Sequence, residues 1–365
     1  MQDSFILHII TILLAAIFAG LSQKFSKNDK LNKVFLALSF MTLFLMMGYR
    51  TVGVGVDDKT YARIFNTVKL EGPISVFLNT TMEPGYLIIN YIFSIFIEDF
   101  QYVLPLLTII PLFFYYKAMT YEKDNINLFI ATFLFGTVLY FYFYGIIRLF
   151  IAASIVAYAY RYIFEKKTKK YIFYVLLATT FHYSAIFMLF FVYFSTEKEE
   201  KPRTMKMLIT LVVIVMPVLI FIASNYVFPN MGERYNTYTN IKSFKFSLDL
   251  FDKLPILLVA IFLYKDMHKF NPHIKIYIVT YALATVISIY TTMLNIGRIQ
   301  WYLLFSICII FPNMVRAIQK SKYKYFNILL VPLIMTYGIL YMNSMYNQPT
   351  NLCMHTYSNV LLKED

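Results

Sequence analysis

Charged side chains are scarce in this sequence of 365 residues. Asp, Glu, Lys and Arg make up 15% of it and hydrophobic residues 59%, whereas a soluble domain has about 25% charged and 45–50% apolar residues. This composition excludes a soluble globular protein. It also excludes a membrane β-barrel, because the apolar residues occur in continuous runs of about 20 residues and not in short alternating segments.

Cysteine and histidine are also rare. The two cysteines, Cys308 and Cys353, are too few for a disulfide framework. The adjacent acidic residues Asp57 and Asp58, which follow a glycine-containing turn, have no histidine or further acid at the spacing of metal ligands. The sequence therefore predicts neither a metal nor another cofactor.

Acidic residues are outnumbered by basic ones, 20 against 33, which gives a net charge of +13. In a soluble protein such a surplus can indicate nucleic-acid binding, but in a membrane protein the lysines and arginines of the loops serve to orient the chain. We therefore expect no nucleic-acid partner.

The apolar runs predict an all-α polytopic integral membrane protein with about 10–14 transmembrane or re-entrant helices. The first run, Phe5 to Gly20, lacks a preceding basic region and a small-residue cleavage site, so we interpret it as a retained span and not as a signal peptide. Residues 1–365 are expected to form a single transmembrane domain. The predicted apolar segments are 5–23, 33–49, 86–97, 101–118, 126–144, 148–164, 171–194, 207–227, 254–264, 276–293, 299–315 and 325–343.

Six lysine-rich connections orient the chain, because the positive-inside rule places such connections in the cytoplasm. The loops 50–85 and 228–253 and the C-terminal tail 343–365 are then expected to face outward. The six connections are 24–33, 117–125, 161–170, 196–206, 265–275 and 316–324.

Two apolar segments cannot simply cross the membrane if all six connections share one side. Residues 33–117 contain three apolar segments and residues 170–198 contain one, yet each stretch must begin and end in the cytoplasm. The short segment 86–97 and the segment 171–194, which is interrupted at His182, are therefore predicted to turn back. Irregular backbone at membrane depth is tolerated where it is buried in protein or lines a watery cavity, which predicts a cavity near His182.

Arginine is concentrated on the outward side, where the topological rule requires no cations. Its planar guanidinium binds phosphate oxygens bidentately and stays charged, so we interpret Arg148, Arg298, Arg50 and Arg234 as a phosphate-binding set. Arg148, in FYFYGIIRLFIAAS at the outer end of an apolar helix, is the leading candidate. The alternative is an interfacial arginine that extends to lipid headgroups.

Two residues are candidates for a catalytic base. His182, in TTFHYSAIF, has a side chain suited to proton transfer near neutral pH, and Asp57 lies in the polar loop GYRTVGVGVDDKTYARIF. The alternative for His182 is a buried structural histidine that is hydrogen-bonded to a neighbouring helix. The alternative for the two aspartates is helix N-capping, which we favour for Asp58.

Four further residues, Tyr61, Glu83, Tyr183 and Tyr235, are candidates for contacting a glycan. Tyrosine rings can stack on sugar rings, but aromatic belts at the membrane interface are a commoner cause of such tyrosines. Their role stays open between substrate contact and membrane anchoring.

Five motifs, in this order, resemble those of the EpsG-like branch of the Wzy-type polysaccharide polymerases: YRTVGVGVDDKTY, MEPGYLIIN, GIIRLFIAAS, FHYSAI and GRIQWYLLFSICIIFP. They extend from Arg50 to Pro312. The resemblance implies the GT-C-like architecture of lipid-dependent glycosyltransferases, which act without a nucleotide sugar or a required metal. It further implies that undecaprenyl-pyrophosphate-linked oligosaccharide repeat units are polymerised on the outer face of the bacterial cytoplasmic membrane.

The same resemblance implies roles for the candidate residues. Arg148 and Arg298 would stabilise the departing pyrophosphate, and His182 or Asp57 would take the proton of the attacking sugar hydroxyl. A single displacement would invert the anomeric carbon. Expected partners are membrane lipid and the flippase and chain-length regulator of the same O-antigen, capsule or exopolysaccharide pathway.

Three other functions fit parts of the sequence. An O-antigen-type ligase would use the same donor with a different acceptor. A flippase or transporter of lipid-linked glycans would have cations along a path across the membrane, whereas the arginines here lie at one face. A membrane O-acetyltransferase would draw an acyl donor from the cytoplasm, where no second histidine or serine motif is found.

Overall fold

The computed structural model describes residues 2–196, 249–294, 297–320, 324–347 and 357–362, and these residues are almost entirely helical. The pairing of extended backbone among them is one isolated bridge between Arg50 and Asn359. The α-helices are α1 Gln2–Lys24, α2 Asp29–Gly48, α3 Asp58–Glu71, α4 Pro73–Asn79, α5 Pro84–Ser94, α6 Val103–Tyr121, α7 Leu128–Leu134, α8 Ile147–Phe164, α9 Thr168–Phe181, α10 Val192–Thr196, α11 Asp249–Phe262, α12 Tyr264–His268, α13 Ile274–Leu294, α14 Ile307–Gln319 and α15 Asn327–Tyr346.

Shorter helical turns extend several of these helices. A π-helical stretch, Phe135–Leu139, and a 3₁₀ stretch, Tyr140–Tyr144, continue α7. A nine-residue 3₁₀ helix, Tyr183–Phe191, joins α9 to α10. The 3₁₀ turns Gly297–Tyr302 and Leu304–Ser306 lead into α14.

Five of the described helices are long and apolar enough to cross a membrane. They are Ser4–Lys24, Asp29–Gly48, Phe100–Tyr121, Ile147–Phe164 and Asn327–Tyr346. Shorter apolar helical stretches accompany them, at Leu128–Tyr144, Tyr183–Phe194, Ile274–Ser288 and Leu304–Gln319. The prediction of an all-α polytopic membrane protein is confirmed.

The lysine-rich connections meet at one end of the bundle, which we call the lysine-rich end. Gln23, at the end of α1, donates from Nε2 to the carbonyl oxygen of Lys123 at 2.6 Å. Arg316, at the end of α14, donates from Nη1 to the carbonyl oxygen of Asp124 at 2.7 Å. Connections predicted to share one side of the membrane are therefore in direct contact at one end of the bundle.

A buried acid joins two further connections at this end. Glu122, fully buried, accepts from Asn125 at 3.0 Å and pairs with His273 Nδ1 at 2.8 Å. The His273 ring stacks on Phe164 of α8 with centroids 4.1 Å apart. Residues 197–206 of the predicted connection 196–206 lie outside the described residues.

Both segments predicted to turn back do so. The chain leaves α2 at Arg50 and returns at Gln101, whose Nε2 donates to the Arg50 carbonyl at 2.8 Å, so α3, α4 and α5 begin and end at the end opposite to the lysines. The α9 helix is followed by a return in which Lys166 Nζ donates to Phe194 O at 3.0 Å. We call the end that carries Arg50 and Arg148 the arginine-bearing end.

The α8 helix lies at the centre of the bundle. Its apolar window is 83% buried, whereas those of α1 and α2 are 28% buried and that of α15 is 22% buried. Alanines and serine on α8, among them Ala152, Ala153 and Ser154, are buried and small enough to let α6 and α9 pack closely against it. Because α8 is packed on most sides, the residues of its first turn have defined positions. Arg148 is one of these residues.

Candidate active site at the arginine-bearing end

Arg148 is buried at the start of α8 and forms an ion pair with Glu83. The Arg148 Nη1 group donates to Glu83 Oε2, and the two residues are 8% and 3% exposed. The guanidinium also lies over the ring of Tyr61, 5.9 Å from its centroid. Arg148 Nε has no hydrogen-bond partner among the described residues. The described residues therefore leave one donor of this arginine without an acceptor.

The motif MEPG explains how Glu83 reaches this position. Glu83 is the extended residue before α5, and Pro84 occupies the first position of that helix, where its fixed backbone is favourable. A Cβ atom on Gly85 would lie 2.4 Å from Thr180 Oγ1 and 2.8 Å from Thr180 O. Glycine is therefore required for the first turn of α5 to lie against the end of α9.

Asp57 shares the electrostatic environment of two arginines. It is half-buried in the turn before α3. Burial raises the pKa of the Asp57 carboxyl above its ordinary value of 3.8, and the neighbouring Asp58 raises it further, while the charges of Arg148 and Arg298 act in the opposite direction. The Asp57 carboxylate is thus close enough to Arg148 and Arg298 to be influenced by both charges.

His182 stands at the break between α9 and the following 3₁₀ helix, in an extended conformation that ends α9. Its Nδ1 is 2.8 Å from Ser184 Oγ and 3.2 Å from the Tyr302 hydroxyl, and these two oxygens are 3.0 Å apart. This network ties the returning 3₁₀ helix to the segment before α14. It therefore fixes the orientation of the imidazole.

Tyr302 connects the histidine network to the arginine pair. Its hydroxyl lies within the electrostatic reach of both Glu83 and Arg298. Ser184 and Tyr302 were missed by the sequence reasoning, although each lies close to a predicted site residue, Ser184 two residues after His182 and Tyr302 four after Arg298. Proximity within the motif was the signal that could have identified them.

Arg50 forms a second buried ion pair that differs from the first. Its Nη2 and Nε donate to Asp58 Oδ1 and Oδ2 at 2.7 and 3.3 Å, both side chains are wholly buried, and Nη1 donates to Met47 O at 2.9 Å. Asp58 also accepts from the Gly55 amide at 2.8 Å. All three nitrogens of the Arg50 guanidinium have protein acceptors, which favours a structural role for Arg50. Arg50 thereby stabilises the loop that contains Asp57.

The N-capping interpretation of Asp58 was wrong. The capping position before α3 is occupied by Asp57, whose side chain makes no capping hydrogen bond, and Asp58 is the first residue of the helix. The Asp58 carboxylate points instead to Arg50, because a buried guanidinium requires a partner of opposite charge.

The remaining candidates differ in exposure. Arg298 is exposed and acts electrostatically on Asp57, as Arg148 does. Tyr61 is buried with its ring against Arg148, and Tyr183 is 42% exposed. Arg234 and Tyr235 lie outside the described residues, as do most of the loop 228–253 and part of the tail. Among the described residues no group of three histidine, cysteine or acidic side chains is arranged to hold a metal ion.

Two cavities of about 420 and 350 Å³ lie elsewhere, at the lysine-rich end, and neither is lined by His182 or Arg148. The cavity predicted near His182 stays a prediction.

Comparison with known proteins is consistent with these motifs. The model of the EpsG family matches residues 33–359, which include every described residue of the cluster. No curated protein and no solved structure matches the chain. Since the match extends over nearly the whole sequence, the chain belongs to the EpsG family, a family of Wzy-like polysaccharide polymerase-type proteins.

Proposed function

We propose that this protein is a glycosyltransferase that joins undecaprenyl-pyrophosphate-linked oligosaccharide repeat units on the outer face of the cytoplasmic membrane. The observation that supports this proposal most is the cluster of Asp57, Glu83, Arg148, His182 and Arg298 at one end of a membrane bundle. These residues come from separate parts of the sequence. Family membership supports a role in polysaccharide polymerisation and leaves the substrate to be tested.

In this proposal the arginines bind the pyrophosphate of the donor. Arg148 donates through Nη1 to Glu83, and its buried Nε has no partner among the described residues, so the guanidinium keeps one donor for a phosphate that displaces the side chains covering it. Arg298 is exposed beside it and supplies a second cation. Two fixed cations lower the energy of the charge that develops on the leaving group.

The reaction is a single displacement. The hydroxyl oxygen of the acceptor sugar forms a bond to the anomeric carbon of the donor, and the bond from that carbon to the pyrophosphate oxygen breaks with its electron pair. Undecaprenyl pyrophosphate leaves with the negative charge, next to Arg148 and Arg298. The hydroxyl proton passes to a base, and the anomeric configuration inverts.

Asp57 is the base that we favour, because its carboxylate lies close to both arginines and so to the proposed position of the reacting carbon. His182 is the second candidate. Its Nδ1 already participates in hydrogen bonds with Ser184 and Tyr302, which suits a residue that orients the acceptor sugar. The two assignments predict different pH profiles, because the fall in rate at low pH would follow the protonation of whichever residue is the base.

The test is polymerisation by the full-length protein in liposomes, with purified lipid-linked repeat units and with product length read on a gel. Arg148→Lys keeps the charge and loses the paired hydrogen bonds. A charge-assisted hydrogen bond is worth about 1.5–3 kcal/mol, so the rate is expected to fall by roughly one to two decades. Arg148→Ala should fall further.

Arg63→Lys is the matched control, because Arg63 is an exposed arginine on α3 at the same end and lies outside the cluster. Its rate should equal that of the unmodified protein. Equal rates for Arg148→Lys and the unmodified protein would refute bidentate binding of the phosphate by the Arg148 guanidinium. Failure to join repeat units together with transfer to an added acceptor other than a lipid-linked repeat unit would indicate a ligase.

A further inference from the structure

A polar cavity of about 420 Å³ lies at the lysine-rich end, between the ends of α1 and α6 and the start of α2. Its walls include Ser22, Ser26, Thr120 and Lys123. Hydrogen bonds hold its walls together. Asn32 Nδ2 donates to Ser22 O at 2.8 Å. Gln23 Nε2 donates to Lys123 O, and Gln23 Oε1 accepts from the amide of Leu128. Hydroxyls and an ammonium group on fixed walls suit an anionic, oxygen-rich ligand.

An apolar groove of about 350 Å³ continues from this cavity along the surface between α2 and α6. The two share Leu36 and Thr120 in their walls. The groove is lined further by Ala37, Phe40, Met41 and Phe113. From residue 33 to residue 41 the helix rises about 12 Å, which is close to the depth of one leaflet of a hydrocarbon core about 30 Å thick.

Lysines line both the cavity and the groove. Lys33 and Lys117 line the groove and Lys123 lines the cavity, and all three are exposed. Lys33 also pairs with Asp29 at 2.6 Å, with both side chains mostly in solvent, and exposed pairs of this kind are weak. Asp124 is an acid in the cavity wall, so the lysines leave a positive surplus.

We propose that this joint site binds one anionic glycerophospholipid from the leaflet at the lysine-rich end. The phosphate lies in the polar cavity beside Lys123, Lys117 in the wall of the adjoining groove adds positive charge, and one acyl chain lies in the groove over Ala37 and Phe40. The site is independent of the proposed glycosyl transfer, since the residues of that site lie at the other end of the bundle. The surplus of lysines suits an anionic headgroup, and the adjoining apolar groove suits an acyl chain. A ligand that has both parts is an anionic lipid.

The test is native mass spectrometry of the full-length protein with phosphatidylglycerol and with phosphatidylcholine of the same acyl chains. Phosphatidylglycerol should be retained preferentially. Lys117→Gln or Lys123→Gln should weaken its binding about fivefold each, which is the contribution of one basic residue near a membrane surface. Lys30→Gln is the control, because Lys30 carries the same charge on α2 and does not line the site.

The apolar half is tested by Ala37→Trp, which places an indole in the groove, against Leu38→Trp, which places one on the neighbouring exposed position of the same helix. Ala37→Trp should reduce phosphatidylglycerol binding at least fivefold and Leu38→Trp should leave it unchanged. Equal retention of the two lipids would overturn the proposal. So would an equal effect of Lys30→Gln and Lys117→Gln, or of the two tryptophan variants, because binding would then be a property of the whole surface.

Discussion

At the scale of single residues, the protein contains two buried ion pairs with different surroundings. Arg50 is bonded on several sides, to Asp58 and to a carbonyl oxygen, whereas Arg148 bonds Glu83 through one nitrogen and has Nε unused. A buried ion pair is seldom more stable than apolar side chains of the same size. In the proposed function, a bound phosphate would complete the hydrogen bonding of Arg148.

The Glu83 and Arg148 pair can be tested separately for stability and for activity. Glu83→Gln leaves a buried guanidinium without its counter-charge, which costs up to about 3–5 kcal/mol of unfolding free energy. The double variant Glu83→Gln with Arg148→Gln should regain much of that stability and remain inactive. Thermal unfolding of the purified protein and polymer formation are the two measurements.

Asp29→Asn is the control for this experiment, because it removes a surface pair with Lys33. Its unfolding temperature should hardly change. An active double variant would contradict the assignment of Arg148 to the pyrophosphate.

A pH profile distinguishes Asp57 from His182 as the base. Burial raises the pKa of Asp57, so its carboxyl takes up a proton at a higher pH than an exposed aspartate does. As a base Asp57 is active only when ionised. The polymerisation rate is therefore expected to be full above this raised pKa and to fall as the pH is lowered through it.

Asp57→Asn should lower the rate by about 10²–10⁴, the range for a general base, and should abolish this acid limb. His182→Gln should retain the limb at a reduced rate. The opposite pattern, with the limb lost in His182→Gln and kept in Asp57→Asn, would assign the base to the histidine.

At the scale of elements, the contact between α5 and α9 positions Glu83. Gly85→Ala places a methyl group against Thr180, including its backbone oxygen at 2.8 Å, so the two helices must separate. Overpacking of this kind typically costs about 1–3 kcal/mol. The expected result is a lower unfolding temperature together with a larger fractional loss of activity than stability alone explains.

Ser94→Ala on the far end of α5 is the control, because Ser94 bonds only the carbonyl of Tyr91 in its own helix. It should retain near-normal activity. An unchanged rate in Gly85→Ala would show that Glu83 keeps its position without close packing of α5 on α9.

The break at His182 was predictable at this scale, and its geometry was not. Lysine-rich connections on both sides of residues 171–194 required the segment to return. The structure forms this return with a nine-residue 3₁₀ helix, Tyr183–Phe191, and bonds Tyr171 OH to Met188 O at 2.6 Å across it. Charge fixes where a chain must begin and end, but packing decides how it turns.

At the scale of the whole molecule, the two ends differ in chemistry. The lysine-rich connections lie at one end, and the cluster with Arg148 lies at the other. The positive-inside rule places the lysine-rich end in the cytoplasm, so the cluster is expected to face outward. This orientation underlies the proposal of polymerisation on the outer face.

Labelling with a membrane-impermeant maleimide tests the orientation in a background without Cys308 and Cys353. In intact cells Tyr183→Cys should be labelled and Lys320→Cys should not, because these exposed residues lie at opposite ends. Lys320→Cys should become reactive after permeabilisation, which serves as its control. Labelling of Lys320→Cys from outside would place the arginines in the cytoplasm and contradict an outward-facing active site.

The sequence alone determined the helical membrane class, the grouping of lysine-rich connections and the two returning segments, because hydropathy and charge act segment by segment. It also proposed Arg148, Asp57 and His182 as site residues, and their roles stay predictions. Only the tertiary structure decided that Arg148 pairs with Glu83, 65 residues away, and that His182 meets Tyr302, 120 residues away. Such partners depend on which helices pack side by side, and no local period in the sequence encodes that choice.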